Sequence, residues 1–318
     1  MEKILALADS RRYIKSDCFQ SQLHQAISEH GNRFKIDYFY LEPKILSNYK
    51  FSKFSSKSYK FVLSTIRQRV LNKNLEHIHN LIPNVPLRIY DQDPWENYID
   101  DSNSKGSYTL LSNTFNLSGI YVPSNFWANY ITNTENVPGY FVYMGMLPSL
   151  CNAGNVKSMR SLAPEFKGSL KLHRKEIFTL MRNYGVDVNI NSQKLSYPKY
   201  LGYLKKLGIF VHDESGSWVC DGQLVDRSTG MWHKDLEIAS QGCFSVRNYH
   251  DEHRTYDIDK LPLVKLYNSL KEVKNKIHDI LDISDNDFLK MQYESVEYIK
   301  NQNYWEKTVK ILLREQNG

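Results

Sequence analysis

Short apolar runs alternate with amphipathic stretches along the first forty residues of the chain. Residues 4–8 form a continuous apolar run, which is typical of a buried parallel strand, and residues 34–41 alternate as a second strand would. Between them, apolar residues recur at helical spacing from 19 to 27, and Gly31 ends the predicted helix. This alternation predicts βαβ units, and therefore a parallel sheet covered by helices on both faces.

The rest of the first half continues this pattern. A long amphipathic helix is predicted from Val62 to Ile78, where apolar residues recur every three or four positions. Further short strands are predicted at 87–90, 108–111, 119–122 and 141–144. After these the sequence becomes rich in small and turn-forming residues and loses its periodicity, which predicts a linker.

The α/β pattern resumes after the linker. Strands are predicted at 166–172, 186–190, 209–211 and 243–246. Helices are predicted at 174–184, 197–207 and 230–240, and from Pro262 onward the spacing of apolar residues indicates helices only.

These elements predict an α/β protein with two Rossmann-like, doubly wound domains facing a central cleft and a C-terminal helical tail. The predicted parts are an N-terminal domain (1–147), a linker (148–163), a C-terminal domain (164–300) and a helix (301–318) that packs back on the N-terminal domain. Ligands of open parallel sheets bind beyond the carboxyl ends of the strands, so the active site is expected between the two halves.

The composition of the chain excludes several classes of protein. The chain has 318 residues, 41 Lys and Arg against 35 Asp and Glu, and four cysteines that are far apart in sequence. The cysteine spacing suggests neither a zinc site nor a redox dithiol. No apolar run approaches the ~20 residues that span a bilayer, and the N-terminus lacks a signal-peptide pattern. We expect a cytoplasmic protein without an integral membrane segment, able to associate peripherally with the inner membrane face.

Positive charge is concentrated in the middle of the chain. Residues 151–200 contain nine Lys and Arg against three Asp and Glu. Such a segment fits either a phosphate-binding surface or a solvated helix face.

Several catalytic motifs are absent. The first strand is followed by Asp9-Ser10-Arg11-Arg12 rather than by G-x-G-x-x-G, which disfavours an ordinary dinucleotide site. The P-loop, the H-E-x-x-H motif and the G-x-S-x-G nucleophile elbow are also missing, which disfavours P-loop NTPases, zinc proteases and α/β-hydrolases.

The densest polar cluster lies at residues 225–242. Ser228, Thr229 and Gly230 precede the predicted helix and offer capping hydroxyls and an open backbone, which would suit a diphosphate. Lys234 and Glu237 are three residues apart and therefore share a helix face. The same residues also fit a capped surface helix with an intrahelical Lys–Glu pair.

This strand, turn and helix resemble the donor-binding region of GT-B glycosyltransferases. In that superfamily a glutamate on the helix holds the ribose hydroxyls of the sugar nucleotide, and the helix N-terminus meets the diphosphate. Glu237 and Gly242 match this pattern, whereas Thr229 stands where many retaining members have a second glutamate, which disfavours a retaining reaction. The sequence is similar to spore-maturation type glycosyltransferase-like proteins and, more distantly, to phage DNA β-glucosyltransferase.

The resemblance implies roles for further residues. Arg174 and Arg227 would bind the donor phosphates together with Lys234, because a guanidinium can bind two phosphate oxygens at once. In the phage enzyme a strand of the first domain ends in the aspartate that serves as base, and Asp91 follows the strand at 87–90 in the same way. Asp93 is the alternative base, and both aspartates also fit a turn in which carboxylates cap local amides.

The sequence therefore predicts an inverting glycosyltransferase that uses neither a metal nor a cofactor and takes a nucleotide sugar as its donor substrate. The expected acceptor is a hydroxyl of a glycan or lipid-linked glycan in bacterial surface polysaccharide or glycoconjugate synthesis, bound to loop 48–59 and helix 60–80. The alternatives are a phage-type enzyme that modifies DNA, and a non-catalytic nucleotide-binding protein with the same fold.

Overall fold

The computed structural model describes residues 1–9, 18–41, 59–229 and 233–314. The chain divides into two compact units. Unit 1 comprises residues 1–144, 218–225 and 305–318, and unit 2 comprises residues 145–217 and 226–304. The predicted linker, 148–163, lies within unit 2.

A six-stranded sheet forms the centre of unit 1. Its strands in chain order are β1 (Glu2–Asp9), β2 (Phe34–Leu41), β3 (Phe61–Ser64), β4 (Leu87–Tyr90), β5 (Leu117–Val122) and β6 (Gly139–Phe141). They pair in parallel in the spatial order β2-β1-β3-β4-β5-β6. Residues 4–8 of β1 are completely buried, because a central strand of a parallel sheet is covered on both faces.

Five helices in the described part of unit 1 lie between these strands. They are α1 (Phe19–His30), α2 (Gln68–Asn72), α3 (Leu75–Leu81), α4 (Ser107–Thr114) and α5 (Asn125–Thr134). A 3₁₀ turn, Pro94–Asn97, follows β4. The hydroxyl of Ser124 caps α5 by accepting a hydrogen bond from the Trp127 amide at 3.2 Å, which fixes where this helix begins.

Three sequence predictions for unit 1 are wrong. The segment from Val62 to Ile78 is not one helix: β3 lies at its start, where four consecutive residues are buried between β1 and β4, and two short helices follow. The predicted strand at 108–111 is part of α4, because Tyr108 and Leu111 are buried on one helix face while Leu110 is 45% exposed. The strand predicted at 141–144 ends at Phe141.

A five-stranded parallel sheet forms the centre of unit 2. Its strands are β7 (Glu165–Lys167), β8 (Asn189–Asn191), β9 (Ile209–His212), β12 (Phe244–Asn248) and β13 (Val264–Tyr267), in the spatial order β13-β12-β9-β7-β8. The helices of this part of the chain are α6 (Leu172–Asn183), α7 (Tyr197–Leu204), α8 (Lys234–Ser240), α9 (Glu252–Thr255), α10 (Val273–Leu281) and α11 (Asp285–Gln302).

The boundaries in unit 2 also differ from the predictions. β7 ends at Lys167, whereas the predicted strand extends to residue 172. β8 begins at Asn189, three residues after the predicted start at residue 186. β13 is a strand within a segment that we predicted to be only helical, because its residues complete the edge of the sheet beside β12. The described part of α8 begins at Lys234 rather than at Gly230.

A hairpin that the sequence analysis missed interrupts unit 2 and belongs to unit 1. Its strands are β10 (Ser217–Cys220) and β11 (Gln223–Asp226). Asp221 and Gly222 form the turn with φ of 49° and 75°, and Asp-Gly is a preferred pair for this left-handed turn.

The last helix, α12 (Tyr304–Leu312), returns the chain to unit 1 at Trp305. The Trp305 indole donates a hydrogen bond to Gln22 at 3.3 Å, and the Arg88 guanidinium donates one to the Leu312 carbonyl at 2.6 Å. Two doubly wound parallel α/β units with a helical tail confirm the predicted fold class. Within the described part of the chain, no helix is both long and apolar enough to cross a membrane.

Candidate functional site

Both sheets have the same strand order, and this order determines where a ligand is expected. In unit 1 the chain runs from β1 to β2 on one side and then continues with β3 on the other side of β1. In unit 2 it runs from β7 to β8 and then continues with β9 on the other side of β7. Ligands of open α/β sheets bind at such reversals of strand order, beyond the carboxyl ends of the strands.

In unit 1, Asp91 lies at the carboxyl end of β4. Its side chain is buried, with 7% of the residue exposed. Oδ2 accepts hydrogen bonds from the Tyr108 hydroxyl at 2.7 Å and from the Asn97 amide at 3.3 Å, and Oδ1 accepts one from the Asp93 backbone amide at 3.0 Å. The carboxylate is thus held rigidly by the turn that follows its own strand and by α4.

A small polar pocket of about 70 Å³ lies beside this carboxylate. Residues after β3, residues after β4 and Gln20 of α1 line it, and Asp91 and Asp93 both face it. Burial raises the pKa of Asp91, and this effect exceeds that of the hydrogen bonds, which lower the pKa. Burial and the neighbouring Asp91 raise the pKa of Asp93 to about 7. A carboxyl group with such a pKa can accept a proton near neutral pH.

In unit 2, basic side chains surround one buried glutamate. Glu214 is completely buried and follows β9. Arg174, in the first turn of α6, donates a hydrogen bond to Glu214 Oε1 at 2.6 Å, and Arg227 lies 4.0 Å from Oε2. His173 Nε2 lies 3.9 Å from the same oxygen. The two elements that carry Arg174 and Glu214 follow β7 and β9, the strands that flank the reversal of strand order.

The electrostatics of this cluster depend on Glu214. Burial alone would raise its pKa, but His173 and Arg174 hold the pKa at about 2, so the group stays ionised. One buried carboxylate faces two guanidinium groups, so the cluster keeps an excess of positive charge. It is suited to a further anion, such as a phosphate group.

Lys234 adds a third cation to the cluster. Its ammonium donates a hydrogen bond to the Lys167 carbonyl at 3.2 Å, and burial and then the nearby Arg174 lower its pKa to about 8. Gly168 leaves room for this side chain, because a Cβ there would lie 3.1 Å from Lys234 Nζ. The structure therefore brings together Arg174, Arg227 and Lys234, which the sequence predicted as phosphate ligands from distant positions.

The other predicted donor residues have different surroundings. Glu237 lies on α8 and its Oε1 is 3.4 Å from Nδ1 of His233, one turn earlier, whose Nε2 is 2.7 Å from the Gly145 carbonyl. The Thr229 hydroxyl donates to the Asp226 carbonyl at 2.7 Å. Ser228 and Thr229 belong to a separate 3₁₀ turn.

The Thr229 hydroxyl therefore does not cap α8, and the side chain of Ser228 lies outside the described part of the structure. His233 occupies the N-cap of α8, and the helix has only seven residues. Gly230 lies outside the described residues, as does the predicted acceptor loop up to residue 58.

Sequence reasoning missed Glu214 and Gln68. Both lie beyond the carboxyl end of a buried strand: Glu214 is two residues after β9 in unit 2, and Gln68 is four residues after β3 in unit 1. Position after a strand could have identified Glu214, because His212-Asp213-Glu214 is an unusually polar continuation of β9. The signal for Gln68 was hidden, because we predicted its surroundings to be the middle of a helix.

A buried polar network lies deeper in unit 2 and has a structural role. Asp235 accepts hydrogen bonds from Arg247 and from the Ser245 hydroxyl at 2.9 Å, and His212 Nε2 lies 3.1 Å from it. Burial would raise the pKa of Asp235, but Arg247 and His212 together hold it well below its usual range. The network ties α8 to β9 and β12, and so fixes the helix that carries Lys234 and Glu237.

No family model and no curated protein matches the sequence. Solved structures match almost the whole chain. The T4 phage beta-glucosyltransferase matches with a TM-score of 0.62 and 10% identity, covering 98% of this chain and 100% of that one. The alpha-glucosyltransferase in complex with UDP-glucose and DNA containing an abasic site matches with a TM-score of 0.61 and 9% identity, covering 99% and 100%. Anabaena Alr3699/HepE in complex with UDP-glucose matches with a TM-score of 0.56 and 12% identity, covering 97% of each chain.

The chain has the GT-B fold. At these identities the similarity establishes the GT-B fold alone, and function has to be argued from the side chains at its sites. The predicted likeness to spore-maturation type proteins stays a prediction.

Proposed function

We propose that this protein transfers a sugar from a nucleoside diphosphate sugar to a hydroxyl acceptor. The observation that carries the proposal is the cluster of Arg174, Arg227 and Lys234 around Glu214, at the reversal of strand order in a GT-B fold. When the bond between sugar and diphosphate breaks, negative charge grows on the diphosphate, and fixed cations stabilise it.

The cluster suits this task because its members are held before the ligand arrives. Glu214 fixes the Arg174 guanidinium, and the Ser169 carbonyl accepts a second hydrogen bond from it at 2.9 Å. The lowered pKa of Lys234 reflects repulsion from Arg174 as well as burial, and a bound phosphate would relieve that repulsion. Glu237 is our proposed ligand for the ribose hydroxyls, one turn of α8 beyond Lys234.

UDP-glucose is the donor to test first. Solved structures with this fold contain UDP-glucose, among them one of alpha-glucosyltransferase and one of HepE. Asp91 is the proposed base: it would take the acceptor proton while the acceptor oxygen bonds to the sugar. Direct attack by that oxygen would invert the configuration at the sugar carbon, and the residues named here need neither a metal nor a further cofactor.

We propose a glycan or lipid-linked glycan as the acceptor. DNA is the second candidate, because alpha-glucosyltransferase was solved with DNA. Duplex DNA bound through phosphates would lose affinity steeply as salt rises, whereas a neutral glycan would not. Binding titrations of both acceptors at two salt concentrations separate the two candidates.

Isothermal titration calorimetry with UDP and UDP-glucose tests the donor site. We expect the wild-type protein to bind both, and Lys234→Met and Arg227→Met to weaken binding by about tenfold or more, since each removes a charge-assisted phosphate contact. Glu237→Ala should weaken binding as well. Lys175→Met, an exposed position on α6, is the matched control and should bind like the wild type. Failure of the wild type to bind any nucleotide or nucleotide sugar would contradict the proposal.

A further inference from the structure

One buried side chain beside Asp91 lacks the partners that its chemistry requires. Gln68 is the first residue of α2 and is 5% exposed. Neither its Nε2 nor its Oε1 forms a hydrogen bond of normal geometry with a described residue, although the amide lies close enough to Asp91 to lower the pKa of that carboxyl group. A buried amide without hydrogen bonds destabilises the fold, so such a group in a pocket indicates a ligand that would satisfy it.

The position of Gln68 shows which ligand it would meet. Gln68 follows β3 and Asp91 follows β4, and these neighbouring parallel strands place both side chains on the same small pocket. The Asp91 carboxylate accepts three hydrogen bonds from protein groups. Because a carboxylate offers about four lone-pair sites, it can accept one more hydrogen bond, from an incoming hydroxyl.

The chemistry of the amide matches a polyhydroxy compound. The amide donates through Nε2 and accepts through Oε1, and a hydroxyl also does both. The described residues that line the pocket include Asp91, Asp93 and Glu96 but only one basic group, Arg67. This balance of charge disfavours a phosphodiester and favours a neutral acceptor.

We propose that Gln68 is an acceptor-binding residue, whose amide binds a second hydroxyl of a neutral polyol, such as a sugar, while Asp91 deprotonates the first. The inference rests on the proposed function and specifies its acceptor class. In the transfer the acceptor proton goes to Asp91 and the acceptor oxygen bonds to the sugar carbon. The bond from that carbon to the diphosphate breaks, and the diphosphate leaves with the electron pair.

Competition between small acceptors tests the role of Gln68. With UDP-glucose as donor, we would measure transfer to glycerol, which carries neighbouring hydroxyls, and to 1-propanol, which carries one, each relative to hydrolysis by water. In Gln68→Leu the ratio of glycerol transfer to hydrolysis should fall about tenfold, the equivalent of one lost hydrogen bond. The ratio for 1-propanol should fall much less. Gln25→Leu, at an exposed position on α1, is the matched control and should change neither ratio.

The outcomes separate this inference from the proposed function. An unchanged glycerol ratio, or an equal fall for glycerol and 1-propanol, would overturn the role of Gln68 even if donor turnover is normal. If the wild type consumes no donor or transfers none to glycerol, calorimetric titration with methyl glucoside decides. Binding that Gln68→Leu weakens would support the inference although the proposed transfer fails, and absence of binding to the wild type would overturn it.

Discussion

At the scale of single residues, buried carboxyl groups have pKa values that are shifted in opposite directions in the two units. In unit 1, burial is the largest effect and raises the pKa of Asp91 and Asp93, and the attraction of Arg67 for Asp93 is too weak to offset it. In unit 2, Glu214 is equally buried, but neighbouring basic groups hold its pKa at about 2. The raised pKa values suit Asp91 and Asp93 to taking up a proton. The lowered pKa suits Glu214 to staying ionised and positioning the neighbouring cations.

Asp91→Asn should lower turnover by about 10²–10⁴-fold and leave donor affinity near that of the wild type, because the amide cannot accept the acceptor proton. In the wild type, turnover should rise with pH through a pKa that is raised above the ordinary value of an aspartate, since the base must be ionised. Asp93→Asn removes a negative charge next to Asp91, so the rise of turnover with pH should occur at lower pH in this variant. Steady-state kinetics across pH measure both effects. Full turnover by Asp91→Asn would show that another group is the base.

Glu214→Gln should destabilise the protein at neutral pH. The folded-state pKa of about 2 lies below the ordinary value of 4.5, so this carboxylate stabilises the fold above pH 4.5 and loses that contribution as pH falls towards 2. We expect the free energy of unfolding to fall by roughly 2–4 kcal/mol at pH 7, with a smaller difference at pH 3. Urea denaturation at both pH values measures this. The exposed Glu176→Gln on α6 is the control, and an equal loss at both pH values would contradict the ionic explanation.

At the scale of elements, the β10–β11 hairpin supports the turn that carries the proposed base. The Trp218 and Trp95 rings stack with centroids 5.1 Å apart, and Trp95 belongs to the 3₁₀ turn that follows Asp93. Asn97 of the same turn donates a hydrogen bond to Asp91. The hairpin, which lies between β9 and α8 in the sequence, therefore stabilises the turn that holds Asp91.

Trp218→Ala should lower the free energy of unfolding by about 3–5 kcal/mol, because it leaves a cavity against Trp95. Trp218→Phe should recover part of the loss. Leu224→Ala, on the same hairpin but 78% exposed, should cost almost nothing. Chemical denaturation of the three variants provides the comparison, and equal losses for Trp218→Ala and Leu224→Ala would rule out this packing role.

At the scale of the whole molecule, two sheets that share the order of their first five strands each carry a polar cluster beyond the carboxyl ends of their strands. The clusters differ in charge: acidic groups predominate around Asp91, and basic groups around Glu214. The excess of basic residues at 151–200 is only partly explained by the proposed phosphate-binding cluster. Arg174 lies in the cluster, whereas Lys171 and Lys175 are exposed.

The sequence by itself determined the fold class and was enough to select several candidate site residues. Buried parallel strands are apolar over their whole length, so β1, β4, β5 and β9 could be predicted from local pattern alone. Asp91 could be selected because a polar residue directly after such a strand lies at the ligand-binding end of the sheet. Local pattern failed for β3, whose apolar residues also fit helical spacing, and for β13, which is stabilised by pairing with β12.

Only the tertiary structure decided which polar residues act together. Arg174, Glu214 and Arg227 come from separate segments of the chain and meet because β7 and β9 are neighbours in the sheet. Gln68 and Asp91 meet for the same reason, through β3 and β4. The periodicity of apolar residues shows which face of a helix or strand is buried. The distance between two charged side chains depends instead on which strands pair, and strand pairing is fixed by the packing of the whole sheet.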